Sequence, residues 1–422
     1  MSFNPMNNSS EKIAVITGKD PTYPQDSDGA TTFLRNYLRF LVQRGVQADI
    51  YTTNCYSGDA VSKGKMEHAG QEGEFSGMQV IRYAPPALAL PTYKDDPKGL
   101  KFLNRAAISF AEASYFADGK LRDYVGVQIL HTSHAIGLVL GDVVPQKRTT
   151  IFPMMLGEEY RRYMPVAENF IDLEREVFKQ VGIIQAPSHD HANTLRQNYS
   201  VPPSKIVTTH RGYPQDILLP RERTLPQDRP VRILSANMVR PQKGQHILVP
   251  FAEECRKRKL PIKIVIAGVN GESYSSHYNE YHQIFLEEIR KRGLTDSFEF
   301  TGPKDHQELN ELMLASDVSI VPSVFETFGK SALESMATGM PTIVFDDVPS
   351  FKEFMTHHET AMFAPRSPMR LADTFELLTH NKDLYEALSR NGIYHGRNFS
   401  WDRVLAQMVD GINTKLHENL SI

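Results

Sequence analysis

The sequence predicts an α/β fold made of two doubly wound domains in series. Three observations carry this expectation. Short β-rich runs alternate with helical patterns along most of the chain, and a proline-rich, charged stretch near the middle interrupts that alternation. The 422 residues are also enough for two such domains.

The first run is KIAVIT, Lys12–Thr17, which ends at Gly18 and opens into the polar loop KDPTYPQDSDG. Phe33, Leu34, Tyr37, Leu38, Leu41 and Val42 follow at helical spacing and stop at Gly45, and a second run, Ala48–Thr52, completes a βαβ unit with a parallel sheet. Residues 55–100 are rich in glycine and proline and read as long loops around a strand near Val80–Tyr83. Alternation resumes at Val127–Leu130, Thr150–Phe152 and Gly182–Ala186, with a helix carrying Phe170, Leu173, Val177 and Phe178 between the last two.

A domain boundary is read at ILLPRERTLPQDRP, Ile217–Pro230, where prolines and charges leave little to bury. A second series follows: Val231–Ala236, Ile262–Ala267, Phe298–Phe300, Val318–Val321 and Thr342–Phe345, each with a helical pattern behind it. The expected division is an N-terminal domain over residues 1–216, a linker over 217–230, a C-terminal domain over 231–395, and a helical tail over 396–422 that packs back on the first domain, with Trp401 as its anchor. Doubly wound sheets bind ligands at the carboxyl ends of their strands, so two of them are expected to face a central cleft.

Composition narrows the function. A net charge of −3 and a pI near 6.6 give no footprint for nucleic acid. No apolar run approaches a membrane span, and peripheral membrane contact stays open. The N-terminal MSFNPMNNSSEK lacks the basic start and apolar centre of a secretory signal, and Cys55 and Cys255, 200 positions apart, read as reduced thiols; a cytoplasmic location is expected. The first loop has no Gly-x-Gly-x-x-Gly, which argues against a dinucleotide oxidoreductase.

The strongest chemical signal is PSVFETFGKSALESMATGMP, Pro322–Pro341. A buried strand runs into a turn bearing Glu326, and Phe328-Gly329-Lys330-Ser331 then opens a helix on which Glu334 lies eight positions after Glu326. A helix start of this kind exposes free backbone amides, which with the helix dipole form a phosphate site, and the two carboxylates beside it suit hydroxyl groups. This stretch resembles the retaining glycosyltransferases of GT-B fold, in particular the large family 4 of sucrose-phosphate synthase-like and mannosyltransferase-like enzymes, whose signature is a Glu-x7-Glu pair within P-S-x-x-E-x-F-G-x-x-x-x-E-x-M-A-x-G-x-P. The resemblance implies that Glu326 contacts the donor sugar, that the amides after Phe328 (Gly329, Lys330 and Ser331) contact sugar and diphosphate, and that Glu334 holds the ribose hydroxyls.

The resemblance extends over most of the chain. Asp28-Gly29, with Gly45 sixteen positions later, is similar to the family's N-terminal Gly-Gly loop, so Gly29 is expected beside the donor phosphates. Glu174 to Ser188, in LEREVFKQVGIIQAPS, resembles the strand E-x-x-x-x-x-x-A-D-x-V-I-x-x-S, with Gly182 where the acid usually sits. LSANMVRPQKGQHIL, 234–248, resembles G-R-x-x-x-x-K-G, in which an arginine and a lysine clamp the diphosphate. Lys243 matches that lysine. Asn237 occupies the arginine position, and Arg240 is expected to supply the second charge from a shifted loop.

ILHTSHAIG ends a strand of the first domain; in the family a histidine here borders the donor sugar, and His134 is assigned to the catalytic surface, with His131 on the acceptor side. Met154 stands where family members often carry a histidine, and Arg161, Arg162 and Arg211 could meet an anionic acceptor.

The diphosphate gains charge as the glycosidic bond breaks, and something positive must meet it. Asp26-Ser27-Asp28 spells the Asp-x-Asp of metal-dependent transferases of the other architecture, but it follows the first strand too early and reads as a helix N-cap. Basic side chains remain, so no metal and no cofactor is expected beyond the nucleotide-sugar co-substrate. The reading is a metal-independent retaining transferase acting on an unidentified acceptor. Its alternatives are a nucleotide-sugar epimerase and a catalytically inactive nucleotide-sugar-binding subunit.

Overall fold

The computed structural model describes residues 12–19, 29–53, 78–83, 98–268 and 276–420, with residues 21, 68–69, 75, 88 and 90. The chain divides into two compact units, Met1–His210 with Val404–Ile422, and Arg211–Arg403.

The first unit is built on an eight-stranded sheet of order β3-β4-β2-β1-β5-β6-β7-β8. Its strands are β1 (Lys12–Thr17), β2 (Gln47–Thr52), β3 (His68–Ala69), β4 (Gln79–Arg82), β5 (Gly126–Leu130), β6 (Thr149–Phe152), β7 (Ile183–Ala186) and β8 (Ile206–Thr208). All pairings are parallel except β3 with β4. The strands read as apolar runs because helices cover both faces: α1 (Gly29–Gln43), α2 (Lys101–Tyr115), α3 (Thr132–Leu140), α4 (Gly157–Tyr160), α5 (Glu168–Gln180) and α6 (His189–Asn198). On α1 the stripe Phe33, Leu34, Tyr37, Leu38 and Leu41 is buried, and Tyr37 donates its hydroxyl to Gln128 Oε1 on β5 at 2.8 Å. Gly45 ends the α1 segment with φ at +70°.

The second unit carries a six-stranded, wholly parallel sheet of order β11-β10-β9-β12-β13-β14. Its strands are β9 (Val231–Ala236), β10 (Ile262–Ala267), β11 (Phe298–Gly302), β12 (Val318–Val321), β13 (Thr342–Phe345) and β14 (Met362–Ala364); its helices are α7 (Leu248–Lys257), α8 (Ser276–Lys291), α9 (His306–Leu314), α10 (Lys330–Ala337), α11 (Pro368–His380) and α12 (Lys382–Gly396). Alternate strand residues feed two apolar layers. Ile233, Ile264, Ile320 and Ile343 pack with Phe251 and Phe375 on one face, and Leu234, Val265, Val321 and Val344 with Phe328, Leu333 and Met336 on the other.

Helix α13 (Trp401–Leu420) closes the chain. Trp401 lies against Gly212, where an added Cβ would stand 2.7 Å from the indole. Further along, Lys415 donates to the Pro203 carbonyl at 3.2 Å within the first unit.

The stretch read as a linker is packed rather than bare. Leu218 is fully buried, Leu219 N donates to Asn310, and the Arg223 guanidinium donates to the carbonyls of Leu314 and Ser316 at 3.1 and 2.9 Å. Composition missed this because arginine can be buried where backbone carbonyls meet its donors.

Candidate functional site: the switch point of the second sheet

Strand order reverses between β9 and β12, which lie side by side while their successors run to opposite edges. The carboxyl ends of these two strands therefore leave a crevice, and both of the segments singled out in the sequence begin there.

After β9 the chain makes two short 3₁₀ turns, Pro241–Lys243 and Gln245–Ile247, joined by Gly244 at φ +66°. Only glycine fits there, since a Cβ would stand 2.2 Å from the Pro322 carbonyl oxygen. This turn is stitched to the loop after β12: Val324 N donates to Gln242 O at 2.8 Å, and Gln242 Nε2 to Phe325 O at 3.3 Å. The stitching brings Lys243 Nζ to 2.5 Å from Glu326 Oε1, which also accepts the Ser323 hydroxyl at 2.6 Å. Both side chains are largely enclosed, Lys243 12% and Glu326 8% exposed. Burial pushes the Lys243 pKa below the ordinary lysine value; Glu326 opposes the shift, and the nearby Arg240 charge adds to it. Arg240 Nε is itself buried and unpaired among the described residues.

The other wall is the start of α10. Gly329 precedes it at φ +104°, with the Phe351 ring 2.5 Å from where a Cβ would sit. Phe328 is buried, its ring centroid 4.6 Å from that of Phe354, so its side chain seats the turn while the following amides open the helix. Those first-turn amides have no carbonyl behind them in the helix. Lys330 Nζ lies 2.9 Å from Glu334 Oε1, and Glu334 is 4% exposed. Asn237 spans the crevice by donating to Ser331 Oγ at 3.0 Å. Arg240, Lys243, Asn237, Glu326, Phe328, Gly329, Lys330, Ser331 and Glu334 thus collect at one point, offering three cations and open amides to an anion, and two carboxylates to hydroxyls.

In the first unit, His131 sits at the carboxyl end of β5 with φ +84°, and its amide donates to Phe152 O at 2.8 Å. Met154, just past β6, has φ +64°. Two non-glycine residues on the left-handed side, at adjacent strand ends, mark this edge as strained. His134, expected on the catalytic surface, is instead 2% exposed inside the α2–α3 contact, with Nδ1 2.8 Å from the buried Glu112 Oε2. The physical reason is helical spacing: four residues past the strand end at Leu130, the side chain has turned inward onto α2. Ser109 secures the same contact, donating to His134 O at 2.6 Å and accepting Gly137 N at 2.7 Å.

Gly29 opens α1, and a Cβ there would meet nothing within 4 Å; Asp26, Ser27 and Asp28 lie outside the described residues. Arg161 pairs with Glu158 and Glu168, and Arg162 lies 3.7 Å from Asp190. Arg211 is buried in the second unit, and burial pushes its pKa down to about 9.

Glu174, which opens the motif read at Glu174–Ser188, lies in a buried polar cluster below the loop after β6, whose other members sequence reading passed over. Glu174 Oε2 accepts Gly157 N at 2.9 Å and the Tyr199 hydroxyl at 2.6 Å, while Glu159 accepts Leu156 N and pairs with His191 Nδ1 at 2.8 Å. Burial pushes the Glu174 pKa up to about 8, opposed by Tyr199 and Gly157 and reinforced by Glu159 and Glu158. Ser323, Gln242 and Glu112 were also missed.

Comparison with known proteins agrees with this geometry. Residues 219–395, which include the whole crevice, match the family described as Glycosyl transferases group 1. D-inositol 3-phosphate glycosyltransferase of Corynebacterium glutamicum (strain R) is 22% identical over 423 residues, spanning 94% of each chain. Mannosylfructose-phosphate synthase of Agrobacterium fabrum is 23% identical over 329 residues, 74% of this chain and 70% of that one. Among solved structures, sucrose-phosphate synthase from Thermosynechococcus elongatus superposes with a TM-score of 0.76 at 19% identity, covering 97% of this chain and 99% of the other. HepE from Anabaena, in complex with UDP-glucose, superposes at 0.68 and 15% identity, again covering 97% and 99%. Residues 219–395 thus match the glycosyl transferases group 1 family, and the chain has the GT-B fold of its solved neighbours.

Proposed function

We propose that the protein transfers a sugar from a nucleotide diphosphate sugar to a hydroxyl acceptor, without a metal ion and with retention of anomeric configuration. The observation that carries the reading is the meeting of Lys243, Glu326 and the start of α10 at the switch point of the second sheet. The donor's diphosphate lies against Lys243, Arg240 and the amides of Gly329, Lys330 and Ser331; Glu326 accepts a sugar hydroxyl and Glu334 the ribose. As the bond between the anomeric carbon and the diphosphate oxygen breaks, the growing negative charge is met by fixed cations and amides, which need little reorganisation. Retention is what the family resemblance implies. The acceptor binds the first unit, where His131 stands at a strained strand end.

The relatives' own names supply an acceptor class to try first. D-inositol 3-phosphate is itself a phosphorylated polyol, and mannosylfructose phosphate and sucrose phosphate are products in which one sugar has been joined to another that carries a phosphate. The test incubates the protein and excess EDTA with UDP-, GDP- and ADP-sugars and a panel of inositol and hexose phosphates, reading products by anomeric proton NMR. Transfer with the donor's anomeric configuration supports the proposal. A new nucleotide-sugar isomer formed from donor alone supports an epimerase, and donor binding with no product across the panel supports an inactive binding subunit.

A further inference from the structure

Arg366 stands between β14 and α11, in a stretch to which the sequence motifs give no role. Its guanidinium grips Asp347 with two prongs, Nε to Oδ2 at 2.6 Å and Nη2 to Oδ1 at 2.7 Å. The same group reaches back to the loop after β12, donating from Nη1 to Pro322 O at 3.2 Å and from Nη2 to Ser323 O at 2.7 Å. Its plane covers the last residue of β13, with Cζ 4.3 Å from the Phe345 ring centroid. One planar cation therefore ties together the carboxyl ends of β12, β13 and β14, and a two-pronged carboxylate contact fixes its orientation as well as its position.

What Arg366 holds is the backbone of the residue that presents Glu326. Ser323 gives its carbonyl to Arg366 and its hydroxyl to Glu326 Oε1, the oxygen on which Lys243 Nζ also converges. From the opposite side the loop is fixed by Gln242, through Val324 N and Phe325 O. The segment 322–325 is thus clamped on both flanks. Without Arg366 two carbonyls lose their donor and Asp347 its partner, and the Ser323 hydroxyl is free to rotate away from Glu326.

We propose that Arg366 is a positioning residue for sugar transfer, fixing the Pro322–Ser323 backbone so that Glu326 and Lys243 meet the donor in a single geometry. This rests on the reading that Glu326 and Lys243 engage the donor. Lysine cannot substitute, because a point charge on a flexible stem cannot make the fork to Asp347 and reach both carbonyls.

The test compares full-length wild type, Arg366→Ala, Arg366→Lys and Asp347→Asn for kcat, for KM of donor and of acceptor, for thermal midpoint, and for rescue by methylguanidinium. In Arg366→Ala the expected result is a kcat lower by about tenfold or more, the size of effect that misplaced catalytic groups produce. Acceptor KM and thermal midpoint should stay near wild type. Arg366→Lys should resemble Arg366→Ala, Asp347→Asn should show a smaller loss, and methylguanidinium should restore part of the rate to Arg366→Ala but none to Lys243→Ala. A wild-type kcat in Arg366→Ala overturns the assignment alone, as does a loss that tracks the unfolded fraction and resists rescue. An inactive wild type overturns the reading of the site and the assignment with it.

Discussion

Lys243 Nζ lies 2.5 Å from Glu326 Oε1, although 83 residues separate the two in sequence. The pair joins the two loops that leave the sheet at its switch point, and it is mostly shut away from water. A buried cation with one carboxylate partner is a site prepared for a second anion: its desolvation is already incurred, and an arriving diphosphate shares a charge that is held in place.

Replacing Lys243 by Ala should therefore cost about 3 kcal/mol of transition-state stabilisation, near two orders of magnitude in kcat, as removal of an oxyanion donor does. Steady-state kinetics on the variant checks this. Turnover close to wild type would remove Lys243 from the mechanism.

The same burial fixes the sign of the alkaline pH dependence. Burial lowers the Lys243 pKa, and Arg240 adds to the shift against the pull of Glu326. Activity that needs the ammonium form should fall on the alkaline side at a pH below the ordinary lysine value of about 10.4. In Lys243→Arg that limb should move up, because a guanidinium keeps its proton. Profiles of kcat against pH that coincide for the two proteins would contradict the assignment.

Gly329 is required by backbone and by space. It sits at φ +104°, and a Cβ would lie 2.5 Å from the Phe351 ring. Gly329→Ala should lower the unfolding free energy by about 2 kcal/mol and weaken donor binding, because the turn that aims the α10 amides is forced open. Urea unfolding measures the first effect and calorimetric titration of donor the second.

Glu174 predicts a different signature. Its pKa is pushed up to about 8 by burial, while a carboxyl in the unfolded chain titrates near about 4.3. Between those values the native state holds a proton that the unfolded state does not. The stability from this group is full below the lower value and is lost as pH rises through the upper one. The urea midpoint of wild type should therefore fall relative to that of Glu174→Gln between about pH 4 and about pH 8, and parallel curves would contradict a protonated Glu174.

Much of the fold is legible in the sequence because parallel strands buried on both faces leave continuous apolar runs, as at Lys12–Thr17 and Ile262–Ala267. The donor half of the site is legible for a similar reason: Glu326, Gly329 and Glu334 lie within one strand–turn–helix segment, so their spacing alone conveys the geometry. The remainder depends on distance along the chain or on backbone atoms. Arg366 reaches carbonyls 43 and 44 residues away, and a carbonyl carries no side-chain code. His134 shows the limit of spacing: the strand ends at Leu130, and the helix that begins at Thr132 turns the fourth residue onto Glu112. The segment 217–230 looked unpacked because its arginines and prolines suggest solvent, whereas Arg223 finds buried carbonyls.

The most direct measurement is calorimetric titration of UDP, GDP and ADP into the protein in excess EDTA, with Lys243→Ala beside the wild type. The account predicts that one nucleoside diphosphate binds the wild type without metal and binds the variant about tenfold or more weakly. Binding that appears only when manganese is added, or that is indifferent to the loss of Lys243, would contradict it.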